Sequence, residues 1–118
     1  MDRFNWNKYI DLAEKSLNTQ SEAHFRTSIS RAYYGALISA RNIIDMFHGT
    51  EIHQKIPEYF ESINKDDTHI IAESLVYLRI HRNSADYDNI FRSSNLKETA
   101  QECLQRAQII MRRFGEDS

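Results

Sequence analysis

The chain has 118 residues, of which 41% are hydrophobic and 27% charged, a mixture that suits one globular domain over 1–118 and excludes an unfolded polar tract. Three Gly and one Pro are too few for the many turns of a β-rich fold. A net charge of −2 excludes wholesale, charge-driven nucleic-acid binding and leaves room only for a local basic site.

The start, Met1-Asp2-Arg3-Phe4-Asn5-Trp6, has no apolar signal core. No later stretch approaches the roughly 18 apolar residues of a membrane span, so the expectation is a cytoplasmic protein without membrane contact. Apolar residues then fall at helical spacing almost throughout. Trp6, Ile10, Ala13 and Leu17 mark a first helix. Asn18-Thr19-Gln20-Ser21 reads as a short connection with Ser21 as N-cap. The second and longest helix carries Phe25, Ile29, Ala32, Ala36, Ala40, Ile43 and Phe47 on one stripe, widened by Tyr33, Leu37 and Ile44. It is expected to run to His48-Gly49, with Gly in the left-handed position after the helix.

Ile52–Ile63 reads as a shorter helix in which Pro57 marks either a start near Ile56 or a kink. Asn64–Thr68 is turn-like, with Asp66 or Asp67 as N-cap. The next helix places Ile71, Leu75, Leu78, Arg82 and Ala85 on one face, and Tyr87–Asn95 reads as a loop. The last helix starts near Leu96, bears Ala100, Cys103, Ala107, Ile110 and Phe114, and ends at Gly115. Short connections favour antiparallel neighbours. The fold expected is therefore all-α, an antiparallel four-helix up-and-down bundle with one extra short helix.

Arg82 is the most informative residue, because it falls in phase with the buried face and a buried charge demands a partner or a ligand. Asp86 stands one turn on and Arg79 one turn back. Arg26, Ser30, Arg31, Tyr33 and Tyr34 of the second helix are the facing groups. Arg79, Arg82, Asp86, Ser30, Arg31 and Tyr34 thus form either a phosphate- or nucleotide-binding site or an inter-helix polar network. The five histidines are scattered, and no pair shows the metal-binding i,i+4 pattern around a carboxylate, so no metal and no cofactor are expected. His53 is expected to make a polar contact at the start of the short helix, and His81 to face solvent. Cys103, the single cysteine, reads as a small buried hydrophobe. An Arg41-Asn42 pair followed by His48 is a further Arg-to-His spacing, on the second helix.

Three segments carry a family resemblance. Ser30-Arg31-Ala32-Tyr33-Tyr34-Gly35-Ala36, His53-Gln54-Lys55-Ile56 and Arg82-Asn83-Ser84-Ala85-Asp86-Tyr87-Asp88 resemble, in order and separation, motifs of the small HEPN proteins. The resemblance implies a helical bundle that pairs as a homodimer, acts on RNA or nucleotides, and in some members is partnered by a nucleotidyltransferase that modifies a tyrosine near the motif. Many members are metal-independent endoribonucleases with an Arg followed, after about four to six residues, by a His. Here Arg82 and Asn83 match the start of that motif, but Tyr87 stands nearest the place of the His. The implied catalytic set is Arg82, Asn83 and Tyr87. The implied function is an RNA-, nucleotide- or partner-binding module of a toxin–antitoxin or defence system with a degenerate ribonuclease motif, the alternative being an active endoribonuclease toxin.

Overall fold

A computed structural model describes residues 4–44, 49–91 and 95–114. Five α-helices follow one another: α1 Asn7–Leu17, α2 Glu22–Ile44, α3 Ile52–Ile63, α4 Asp66–Tyr87 and α5 Leu96–Phe114. A single 3₁₀ turn, Gly49–Glu51, precedes α3. No strand occurs among the described residues. The all-α bundle with one short extra helix is as the periodicity predicts.

Cross-helix contacts fix the directions. Ser28 donates to the Ala13 carbonyl at 2.7 Å and Arg31 lies 5.0 Å from the Tyr9 ring, so α1 and α2 are antiparallel. Arg26, near the start of α2, reaches the carbonyls of Ser84 and Ala85 near the end of α4. Arg106 and Arg113 of α5 meet Ser74 and Asp67 of α4. Hence α2 and α5 point the same way, and they form the middle of the bundle. α2 touches α1, α3, α4 and α5.

Composition explains how one helix serves four neighbours. Ala32, Ala36 and Ala40 are fully buried, and their small side chains let backbones approach from several sides. Gly35 is the extreme case: a Cβ there would stand 2.8 Å from Ile10 Cδ1 and 3.2 Å from Tyr9 Cβ. Ile29, Leu37, Ile56, Leu75, Leu78 and Ile110 fill the remaining space and are fully buried, each worth roughly 1.5–3 kcal/mol relative to exposure. Cys103 is buried as well, and burial pushes its thiol up to about 12.

The helix ends differ from expectation in detail. Ser21 does cap α2, its Oγ accepting from the His24 N–H at 3.2 Å. α4 is capped from Lys65 instead of Asp66 or Asp67. The Thr68 hydroxyl accepts from the Lys65 N–H at 3.1 Å and donates to the Lys65 carbonyl at 2.9 Å, which leaves both aspartates in the first turn, where negative charge is favourable. Asn64, at φ 60, closes α3. The described part of α2 ends at Ile44. Phe47, His48 and Gly115 lie outside the described residues, so the Arg41-to-His48 spacing and those two helix ends lie outside them too. Gly49, at φ 74, opens the 3₁₀ turn.

α3 begins at Ile52 and carries Pro57 inside it. Proline cannot donate to the carbonyl four residues back, which is that of His53. Arg79 Nη1 of α4 donates to that freed carbonyl at 3.3 Å. The one proline of the chain thus gives α4 a cross-helix acceptor on α3.

Candidate functional site

The start of α3 returns beside the middle of α2, and there the motif residues meet. Tyr33 is buried, 1% exposed, and its hydroxyl lies 2.6 Å from His53 Nδ1, with the two rings stacked at 5.6 Å. Tyr34 meets both edge-on, at 5.2 Å from Tyr33 and 6.0 Å from His53. The Arg82 guanidinium sits 5.2 Å from each tyrosine ring. Burial raises the Tyr33 phenol to about 12 in spite of Arg82 and Arg79 beside it, so it stays an O–H donor. Burial first, then the charges of Arg82 and Arg79, hold His53 below the usual imidazole value of 6.5, so it is neutral at pH 7.

The 2.6 Å contact accommodates a Tyr33 O–H that donates to His53 Nδ1. Arg82 has only hydrogens to offer the Tyr33 oxygen, and the acceptor in reach of the Tyr33 hydrogen is His53 Nδ1. With that donor, the proton of a neutral His53 resides on Nε2. His53 lines a groove of about 430 Å³ between α3 and α4, with Gln54, Pro57, Glu58, Val76, Arg79, Ile80 and Asn83. His53 and Arg79 line that groove together, and Arg82 stands against Tyr33 and Tyr34, outside the groove lining. An imidazole and a guanidinium side by side suit an anion.

Arg82 is in the buried face, 6% exposed. Its ion pair with Asp86 is long, 3.8 Å, beyond hydrogen-bonding distance. Its Nε is buried with no partner among the described residues. Asp86 also receives a 3.4 Å hydrogen bond from Ser30. Arg79, Arg82, Tyr34, Ser30 and Asp86 are therefore brought together across α2 and α4. Arg31, one residue beyond Ser30 and so turned about 100° around the helix, packs on Tyr9 of α1 instead. The set Arg82, Asn83 and Tyr87 is divided: Arg82 points inward, Asn83 lines the groove, and Tyr87 is 74% exposed with its ring 5.9 Å from Arg82.

Arg26 holds this end of α4. Its Nη1 donates to the carbonyls of Ser84, Ala85 and Asp88 at 3.3, 3.0 and 2.8 Å, and its guanidinium lies 5.9 Å from the Phe91 ring. A cation on the last carbonyls satisfies acceptors that the helix leaves open. On the far side of α4, His81 is half-buried and not exposed as expected. It packs 4.4 Å from Tyr77 and 6.1 Å from Phe91, and burial with Arg106 nearby lowers its pKa. Among the described residues no three His, Cys, Asp or Glu side chains gather as a metal site, and no helix is long and apolar enough to cross a membrane.

The residue that sequence reasoning placed outside the site is His53. Its contact to Tyr33 spans twenty residues and the return of the chain beside α2, which no local period encodes. Its presence in one of the three resembling segments was the available signal.

No family model matches the chain, and no solved structure is significantly similar. An uncharacterized protein of the archaeon Methanocaldococcus jannaschii is similar, with 29% identity over 72% of this chain. The chain spans about three fifths, 61%, of that relative's length.

Proposed function

We propose that this chain is a HEPN-like module of a toxin–antitoxin or defence system, acting in the cytoplasm, that binds RNA or a nucleotide through a phosphate group and carries a degenerate ribonuclease motif. The phosphate lies on His53 and Arg79 in the α3–α4 groove. The observation that carries this reading is the convergence of donors there. Tyr33 contacts the imidazole at Nδ1, which on this reading leaves Nε2–H for the ligand, and Arg79 lines the groove beside it. A neutral imidazole locked in that form donates to a phosphate oxygen and has no free lone pair with which to take a ribose 2′-OH proton.

The test is a mixed RNA pool incubated with the protein in excess EDTA. RNA is bound and remains intact. Arg79→Ala weakens binding about tenfold and lowers the salt slope by about one, as loss of one phosphate contact does. Cleavage in EDTA that disappears in both His53→Ala and Arg82→Ala overturns this reading in favour of the endoribonuclease toxin. One observation favours that second reading: an imidazole does stand beside the Arg82 motif, supplied by α3 in place of the α4 position that Tyr87 occupies.

A homodimer and a nucleotidyltransferase partner belong to the same proposal. What supports a docking face is the exposure of Tyr87 and Ile90 together at the end of α4, Ile90 being 85% exposed.

A further inference from the structure

The α3–α4 groove is chemically bipolar. His53 and Arg79 face each other across it. The two helices are antiparallel, because His53 meets Arg79 while His69 pairs with Glu61. Following α3 away from His53, the groove passes Pro57 and the half-exposed Val76 and reaches the Glu58 carboxylate, while Ile80 and Asn83 line it on the other side of Arg79. Five residues of helix separate His53 from Glu58, about 7.5 Å along the axis. Beyond it, a second recess continues past Pro57 and Val76 to Glu61 and Glu73. Gln54 donates to Glu58 Oε2 at 2.9 Å, which holds that carboxylate and leaves Oε1 for a ligand.

The matching ligand has an anion at one end, a flat apolar body, and a hydrogen-bond-donating edge at the other. Its volume is of small-molecule size, since the groove is about 430 Å³. We propose that this groove binds a guanine nucleotide, free or at the end of an RNA strand, with its phosphate on His53 and Arg79, its base over Pro57 and Val76, and its N1–H and N2–H donating to Glu58. A carboxylate is acceptor-only. Guanine alone among the common bases sets two donors side by side on that edge. Adenine, cytosine and uracil set an acceptor beside a donor, which the carboxylate repels. The proposal rests on the phosphate reading above and adds the identity of the base.

Calorimetric titration of the whole chain with inorganic phosphate, GMP, IMP and UMP separates the two. GMP binds about tenfold more tightly than IMP, which lacks the N2 amino group and so one hydrogen bond to a charged acceptor. UMP binds no better than phosphate. Glu58→Gln, an exposed substitution that leaves the circular dichroism unchanged, brings GMP down to IMP and leaves phosphate affinity as it was. Equal binding of GMP and UMP, unaffected by Glu58→Gln, overturns the base assignment while the phosphate reading stands. Failure of phosphate and of every nucleotide to bind overturns both. A short RNA ending in guanosine phosphate, titrated beside GMP, distinguishes the sources. Tighter binding than GMP assigns the strand end, and equal or weaker binding assigns the free nucleotide.

Discussion

Tyr33 and His53 show how much a single hydroxyl decides. Tyr33→Phe keeps the ring packing and removes one hydrogen bond, so the expected stability loss is about 1 kcal/mol, read by chemical denaturation. The larger effect is on His53, which becomes free to exchange tautomers and loses phosphate affinity. Histidine titration also makes stability depend on pH. His53 and His81 both have native pKa values below the unfolded value of 6.5, so the unfolded chain takes up protons more readily. Stability is therefore fully present above about pH 6.5 and is lost as pH falls below it toward the native values. Melting curves between pH 7.5 and 5 show this fall, and replacing both histidines by Gln reduces it. Arg82 and Asp86 were legible in the sequence because helical phase alone put a charge on a buried face and a partner one turn away. Arg31 does not join its neighbour Ser30 beside Asp86, because one step along a helix turns a side chain about 100°, here onto Tyr9 of α1. His53 was illegible from spacing, since a loop return and not a helical period brings it to Tyr33.

At the scale of the elements, Pro57 and Gly35 are the two positions where backbone chemistry shapes the site and its support. Pro57 withholds the hydrogen bond that the His53 carbonyl would receive, and Arg79 takes that carbonyl. Pro57→Ala restores the helical donor and removes a helix-interior proline, so Tm rises while Arg79 loses its anchor and phosphate affinity falls. A rise in Tm with unchanged affinity would show that Arg79 is positioned by other contacts. Gly35→Ala drives a methyl against Tyr9 and Ile10 of α1 and destabilises by about 1–3 kcal/mol, without moving His53 or Arg79. The helix sequence of the bundle was readable because apolar stripes extend over nearly every helix. The proline could be placed only as a start or a kink, since what a freed carbonyl finds depends on a helix more than twenty residues on. Likewise the cap of α4 came from Thr68 reaching back, a pairing that the aspartates before it concealed.

At the scale of the molecule, the small-residue spine of α2 lets α2 and α5 share the centre, and α3 and α4 are left to frame the groove. On the proposed reading, a net charge of −2 leaves this groove as the site of nucleic-acid binding, so affinity falls with salt only with a small slope. If Tyr87 and Ile90 form a homodimer contact, light scattering gives twice the chain mass for the wild type and the single mass for Ile90→Asp. A monomer in both would remove the dimer from the proposal and leave the groove intact. The central claim, that His53 is a locked donor at a phosphate site, is tested most directly by two-bond ¹H–¹⁵N correlation of the His53 ring at pH 7.5, with and without inorganic phosphate. The account predicts an unprotonated Nδ1, a protonated Nε2 whose resonance moves on phosphate addition, and loss of that pattern in Tyr33→Phe. A protonated Nδ1 with a free Nε2 lone pair, unmoved by phosphate, would contradict it and turn the site toward proton abstraction.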